Sequence, residues 1–194
     1  MEWVIKMDGL KNRKTTRLQG VDYNSTGAYF ITICTQNRRC SLSRIVGTGV
    51  LDGPFHDALN ETTVELLPCG KIADKYIHQL NEFYHDISVE RYVIMPNHIH
   101  MLLFVKPKEH EDIESEMSMV NGPSGTPVPT IQNSIVSRFV STFKRFCNKE
   151  YGENIWQYRS YDHIIRDQKD YEKHINYICE NPIRWYYDEL YTEE

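Results

Sequence analysis

The apolar positions of this chain change period several times, and each change marks an element. "GAYFITICTQNR" (27–38) is rich in β-branched and aromatic residues and predicts a strand. "SRIVGTGVL" (43–51) is a weaker strand candidate. In "GKIADKYIHQLNEFY" (70–84), Ile72, Tyr76, Leu80 and Phe83 fall near helical spacing, which predicts an amphipathic helix. Two strands follow, at about 87–94 and 98–105, joined at "MPN". Pro96 has no N–H for a ladder, so it belongs in a turn, a bulge or a strand start. Residues 106–130 are first charged and then rich in Gly, Pro, Ser and Thr, the composition of a flexible loop. "IQNSIVSRFVSTFKRFCNKEYG" (131–152) carries Ile131, Ile135, Phe139, Phe143 and Phe146 on one helical stripe, with Gly152 as a stop. "YDHIIR" (161–166) reads as a short strand. A final helix begins at the N-cap candidate Asp167 and is ended by Pro182.

The order is strand, helix, two strands, helix, strand, helix. It predicts an α+β fold in a single domain spanning 1–194: a ferredoxin-like antiparallel sheet with helices on one face, and the loop 106–130 within it. There is no internal repeat.

Composition changes this picture little. No apolar run approaches the roughly 20 residues that span a bilayer, and the first residues contain no apolar signal core. Five cysteines without CxxC spacing fit a reducing compartment, and zinc-type ligand spacing is absent. The expected location is the cytoplasm. The net charge of −5 argues against a nucleic-acid partner until its distribution is considered. Residues 1–50 hold Lys6, Lys11, Arg13, Lys14, Arg17, Arg38, Arg39 and Arg44 against only Glu2, Asp8 and Asp22. Much of the acid lies in "KEHEDIESE" (108–116) and "DELYTEE" (188–194). By charge alone, an ordinary solvated surface is the better explanation of these runs.

The candidate chemistry lies in "RYVIMPNHIHMLLFV" (91–105). Side chains alternate across a strand, so His98 and His100 share one face while Ile99 and Met101 point to the other. Leu102 and Phe104 continue the histidine face. A lone histidine there would be an ordinary packing residue. Two unpaired imidazoles in an apolar strand would cost stability, which points to a site. As neutral donors they can hold one divalent cation, with a carboxylate, amide or water completing a shell suited to Mg²⁺ or Mn²⁺. The last helix offers partners. Tyr171, Ile175 and Ile178 form its apolar stripe, and Lys173, His174, Tyr177 and Asn181 share the other side. Tyr177 and Asn181 are spaced i, i+4 and project together. A phenol beside a cation can attack a phosphoryl group, although periodicity does not separate Tyr177 from Tyr171 or Tyr161.

Three blocks together carry a family resemblance: "YNSTGAYFITICTQNR", "YVIMPNHIHMLLFV" and "IWQYRSYDHIIRDQKDYEKHINYICENPIRW". The chain resembles the REP-associated tyrosine transposases, relatives of the single-tyrosine HUH insertion-sequence transposases. The blocks span most of the chain in the family's order, and the 106–130 segment has no match. The resemblance implies the ferredoxin-like fold and a metal-dependent single-stranded DNA nuclease and strand transferase acting at hairpin-associated sites. It assigns the cation, Mg²⁺ or Mn²⁺, to His98 and His100, with Asn181 as third ligand, and the nucleophile to Tyr177, which forms a 5′-phosphotyrosine. It also implies a nucleoid-associated protein whose active site lies within one chain or across a homodimer.

Such a protein must hold DNA. Arg13, Lys14, Arg17, Arg38 and Arg39 are candidates for phosphate contacts, with Arg159, Arg166 and Lys173 nearer the tyrosine helix. Tyr158 and Tyr161 are candidates for base stacking, whereas Trp156 is better explained by core packing. Lys173 or His174 is placed to assist Tyr177, and His163 matches a family position. Two rival readings remain: a domesticated, non-catalytic nucleic-acid-binding protein, and a metal hydrolase with a water nucleophile. Neither requires His98, His100 and Tyr177 as a set.

Overall fold

A computed structural model describes residues 25–47, 62–107 and 134–192. Its main sheet contains β1 (Gly27–Cys34), β4 (Ile87–Ile94), β5 (His98–Val105) and β6 (Tyr161–Ile164). The strands run in the order β4–β5–β1–β6, with every neighbour antiparallel. With α1 (Pro68–Phe83) between β1 and β4, and α2 (Ile135–Tyr151) between β5 and β6, this is the βαββαβ ferredoxin-like topology. A small hairpin of β2 (Ser43–Val46) and β3 (Thr63–Leu66) is inserted after β1. The strand read over 43–51 is thus confined to its first four residues among those described, and β3 was not anticipated. α3 (Gln168–Glu180) follows β6, with the Asp167 side chain accepting from the Asp170 N–H as its N-cap.

The larger core lies on one face of the sheet. Tyr29, Ile31 and Ile33 of β1 and Ile99, Met101 and Leu103 of β5 meet α1 and α2 there. α2 buries Ile135, Phe139 and Phe143 as its sequence stripe predicts, whereas Ile131 lies outside the described residues. The stripe of α1 is rotated from the expected one. Ala73, Ile77 and Leu80 are buried, while Phe83 is 73 % exposed. Small residues carry little weight in an apolar pattern, yet only they fit where the helix approaches the chain closely. Gly70 is such a place: a Cβ there would collide with the Leu42 carbonyl. That carbonyl already accepts the Leu67 N–H at the helix start.

Two of the three α-helices among the described residues cover this face, as the sequence implies. The third, α3, crosses the opposite face, which differs from the expectation of helices on one face only. The cause is local. Ala28, Phe30 and Leu102 project from that face and Ile178 covers them, with Tyr171 and Ile175 packed alongside. In the β1–β5 register Thr32 stands opposite His100 and Cys34 opposite His98, so the polar end of the face lies beside this small cluster. Pro96 sits in the β4–β5 connection, as expected.

Because the collision at Gly70 is with main chain rather than a flexible side-chain end, Gly70→Ala should destabilise the fold. The expected loss is about 1–3 kcal/mol, read as a lower urea midpoint with an unchanged slope.

Candidate metal and tyrosine site

His98 and His100 open β5, and both are buried. Their ring centroids are 4.4 Å apart. Each ring is held through Nδ1: His98 by Asn97 Oδ1 at 2.8 Å, His100 by Thr32 Oγ1 at 2.8 Å. The Asn97 amide is fixed from its other side, since its Nδ2 donates to the Leu190 carbonyl at 2.8 Å. Its Oδ1 therefore accepts from His98, which places the His98 proton on Nδ1 and a lone pair on Nε2. The Thr32 hydroxyl oxygen is placed to accept from His100 Nδ1–H, the arrangement that gives the same tautomer. Both Nε2 atoms are buried without a hydrogen-bond partner.

Burial also sets their charge. It pushes His98 down to about 4, against the opposing pull of Asp188 and Asn181. It holds His100 well below the usual imidazole value, with His98 and His174 acting in the same direction. Both rings are therefore neutral near pH 7, the form that binds metal.

Asn181 caps the C-terminus of α3 and is 2 % exposed. Its Nδ2 donates to Asp188 Oδ2 at 2.6 Å, leaving Oδ1 buried and without a hydrogen bond. One turn earlier, Tyr177 is 39 % exposed. Its ring lies 5.0 Å from that of His100. Its hydroxyl donates to Asp188 Oδ2 at 3.0 Å. Burial, then the Asp188 carboxylate, push the phenol above its ordinary value. Of the tyrosines that periodicity left open, Tyr171 packs in the small cluster and Tyr161 is exposed on the rim of the cavity. The four residues the sequence singled out thus meet within one chain.

Asp188 was not singled out. Its carboxylate lies within 4.8 Å of ring nitrogens of both histidines. It caps the C-terminus of a 3₁₀ turn, Trp185–Tyr187, that follows Pro182, where no periodic pattern marks it. The one available signal was the acidic run "DELYTEE", read as surface charge. This C-terminal segment lies over the histidines. Trp185 is buried, its ring 5.9 Å from that of His98. Thr192 Oγ1 donates to the Arg38 carbonyl, and Arg38 Nη1 donates to the Glu189 carbonyl at 3.2 Å.

Beside the tyrosine opens a cavity of about 800 Å³. Lys173, His174, Tyr161 and Arg184 line it together with Thr32 and His100. Of the expected phosphate contacts, Lys173 is at this cavity, and Arg39, Arg159 and Arg166 are exposed elsewhere on the surface. Arg38 is engaged with the C-terminal segment, and Arg13, Lys14 and Arg17 lie outside the described residues. Tyr158 is 91 % exposed, while Trp156 is buried against Phe143, its expected packing role. His163 and His174 both face Asp170. His163 Nε2 is 2.8 Å from its carboxylate, and His174 Nδ1 is 2.8 Å from its main-chain oxygen. Lys173 remains exposed, so of the two groups considered as helpers for Tyr177, His174 is the one held in place.

No protein-family model matches the chain. A Haemophilus influenzae protein of uncharacterized function is 29 % identical over 188 residues, covering 95 % of this chain and 96 % of its own. A second protein of that organism, provisionally named a REP-associated tyrosine transposase, is 28 % identical over 170 residues, 87 % of this chain and 77 % of its own. The REP-associated tyrosine transposase of Escherichia coli K12 is 26 % identical over 97 residues, 50 % of this chain and 45 % of its own. Among solved structures, a REP-associated tyrosine transposase bound to a REP hairpin aligns with a TM-score of 0.47 at 22 % identity, over 82 % of this chain and 68 % of that one. No helix among the described residues is long and apolar enough to cross a membrane.

The buried neutral histidines carry a pH signature. Below pH 6.5 an unfolded chain protonates imidazole, whereas the folded chain resists until about pH 4 at His98. The unfolded state then binds more protons, so folding stability falls as pH drops through that window. The urea midpoint should fall from pH 6.5 to pH 4, and His98→Asn should flatten that fall. An equally steep fall in His98→Asn would show that this ring is not buried in its neutral form.

Proposed function

We propose that the chain, 28 % and 26 % identical to two REP-associated tyrosine transposases, is a transposase of that kind, which cleaves and rejoins single-stranded DNA at hairpin-associated sites, using Tyr177 as nucleophile and a divalent cation held by His98, His100 and Asn181. One observation carries the reading. Three buried donor atoms, His98 Nε2, His100 Nε2 and Asn181 Oδ1, are left without hydrogen bonds beside a half-exposed tyrosine. Buried polar atoms are nearly always paired, so three in one place suit an absent partner that accepts lone pairs. Two neutral imidazoles and an amide oxygen fit Mg²⁺ or Mn²⁺ with an incomplete protein shell, and the Nδ1 contacts to Asn97 and Thr32 are the outer support such ligands need.

The cation, when bound, polarises the scissile phosphate and favours the phenolate. The protein supplies the rest. Tyr177 gives up its proton to solvent, and its oxygen attacks phosphorus in line. The bond to the 3′-oxygen breaks, leaving a 5′-phosphotyrosine and, after proton uptake, a free 3′-hydroxyl. Attack by another 3′-hydroxyl reverses the step and joins strands. Since Tyr177 and His100 adjoin within one chain, a monomer suffices for this chemistry. Lys173 on the cavity rim, the exposed Arg39, Arg159 and Arg166, and the N-terminal Arg13, Lys14 and Arg17 are the proposed phosphate contacts. The exposed rings of Tyr158 and Tyr161 suit stacking on unpaired bases.

With Mn²⁺ and a hairpin oligonucleotide carrying a single-stranded flank, the wild type should nick the flank and form a protein–DNA adduct that survives denaturant. Tyr177→Phe should lose the adduct and at least about 10³-fold of the nicking rate while keeping DNA affinity. Binding without nicking under any metal would mark a non-catalytic nucleic-acid-binding protein. Nicking that survives in Tyr177→Phe would mark a water nucleophile.

A further inference from the structure

We propose that Asp188 is a further ligand of the same cation, so that the C-terminal segment completes the metal shell instead of merely covering it. The inference rests on reading His98, His100 and Asn181 as cation ligands, and it adds a charged donor to that neutral set.

Geometry comes first. A carboxylate oxygen of Asp188 and one nitrogen of each histidine lie within 4.8 Å of one another. Donors at about 2.1 Å from one ion lie at most about 4.2 Å apart, so the present spacing closes onto an ion with shifts of under about an ångström. Lone pairs come second. Oδ1 accepts from the Leu190 N–H at 2.7 Å, and Oδ2 accepts from Asn181 Nδ2 at 2.6 Å and from Tyr177 at 3.0 Å. A carboxylate offers about four acceptor positions, so one remains for an ion.

Charge is the third argument. Two neutral imidazoles and an amide bring no negative charge to a buried dication, and such a charge is costly to bury unpaired. Asp188 halves the excess before any DNA phosphate arrives. Placement is the fourth. Asp188 is held by contacts that do not depend on an ion: Trp185 packs beside His98, Asn97 Nδ2 donates to the Leu190 carbonyl, and Arg38 donates to the Glu189 carbonyl. Asn97 also fixes the His98 tautomer, so one amide positions both a histidine ligand and the segment that bears Asp188.

Mn²⁺ binding to the full chain without DNA, followed by loss of the free-ion EPR signal, tests the assignment. One tight site is expected in the wild type, weakened about tenfold or more in Asp188→Asn, which keeps the shape of the side chain and removes its charge. In the wild type, Mn²⁺ should also slow amide exchange across residues 185–192. If the wild type retains no Mn²⁺, or His98→Ala binds it as well, the histidine reading falls and this inference with it. If His98→Ala loses Mn²⁺ while Asp188→Asn binds as tightly as wild type, only the assignment of Asp188 falls. Should Asp188→Asn fail to fold, exchange in the wild type decides: a segment 185–192 unaffected by Mn²⁺ overturns the proposal.

Discussion

A buried polar group left without a partner costs about 1–3 kcal/mol, and His98 and His100 present two such nitrogens side by side. Much of the surrounding structure follows from that constraint. Thr32 and Asn97 take up the other nitrogen of each ring, so the rings cannot turn to relieve the unpaired ones. Phe30 stacks on His100 at 5.0 Å, and Trp185 closes over His98. These apolar walls keep the imidazoles neutral, and neutrality is what makes a histidine pair useful to a cation. Among the described residues, the face of the sheet that bears them carries a small apolar cluster of Ala28, Phe30, Leu102 and Ile178.

The tyrosine helix is aligned by a second polar cluster. Asp170 sits in the first turn of α3 and accepts from the Arg166 N–H, while His163 of β6 and His174 of α3 flank it, their rings stacked at 4.7 Å. β6 is the edge strand paired to β1, so this cluster ties the start of α3 to the strand that also bears Thr32 and Phe30. Tyr177 and Asn181 then arrive beside the histidines by helical periodicity alone. A helix covering a small apolar patch is weakly specified by packing, and directional polar contacts at its start supply what the patch does not.

The strongly periodic elements were legible in the sequence. β4 and β5 have the predicted bounds because long alternating runs are bracketed by turn residues. The shared face of His98 and His100 follows from the same alternation. The α1 stripe was misplaced by one position because Phe83 outweighs Ala73 in any apolar pattern, although Ala73 is buried and Phe83 exposed. β3, with four alternating residues paired only to an equally short β2, is too brief to stand out. Arg38 has the look of a phosphate contact, and its guanidinium instead holds the main chain at Glu189. Asp188 was illegible for a deeper reason: its position is fixed by contacts to residues about ninety to one hundred and fifty positions earlier, which no local pattern encodes.

That long reach has a consequence for a shortened chain. Thr32, His98, His100, Tyr177, Asn181 and Asp188 are spread over most of the chain, and the last three follow every strand of the sheet. Every strand of the main sheet and both helices of the larger core precede the tyrosine along the chain. A chain that stopped short of α3 would therefore keep all four strands of the main sheet and the histidine pair, and would lack Tyr177, Asn181 and Asp188. The donors of the site thus come from distant parts of the chain, and they are brought together only where the C-terminal segment docks on the sheet.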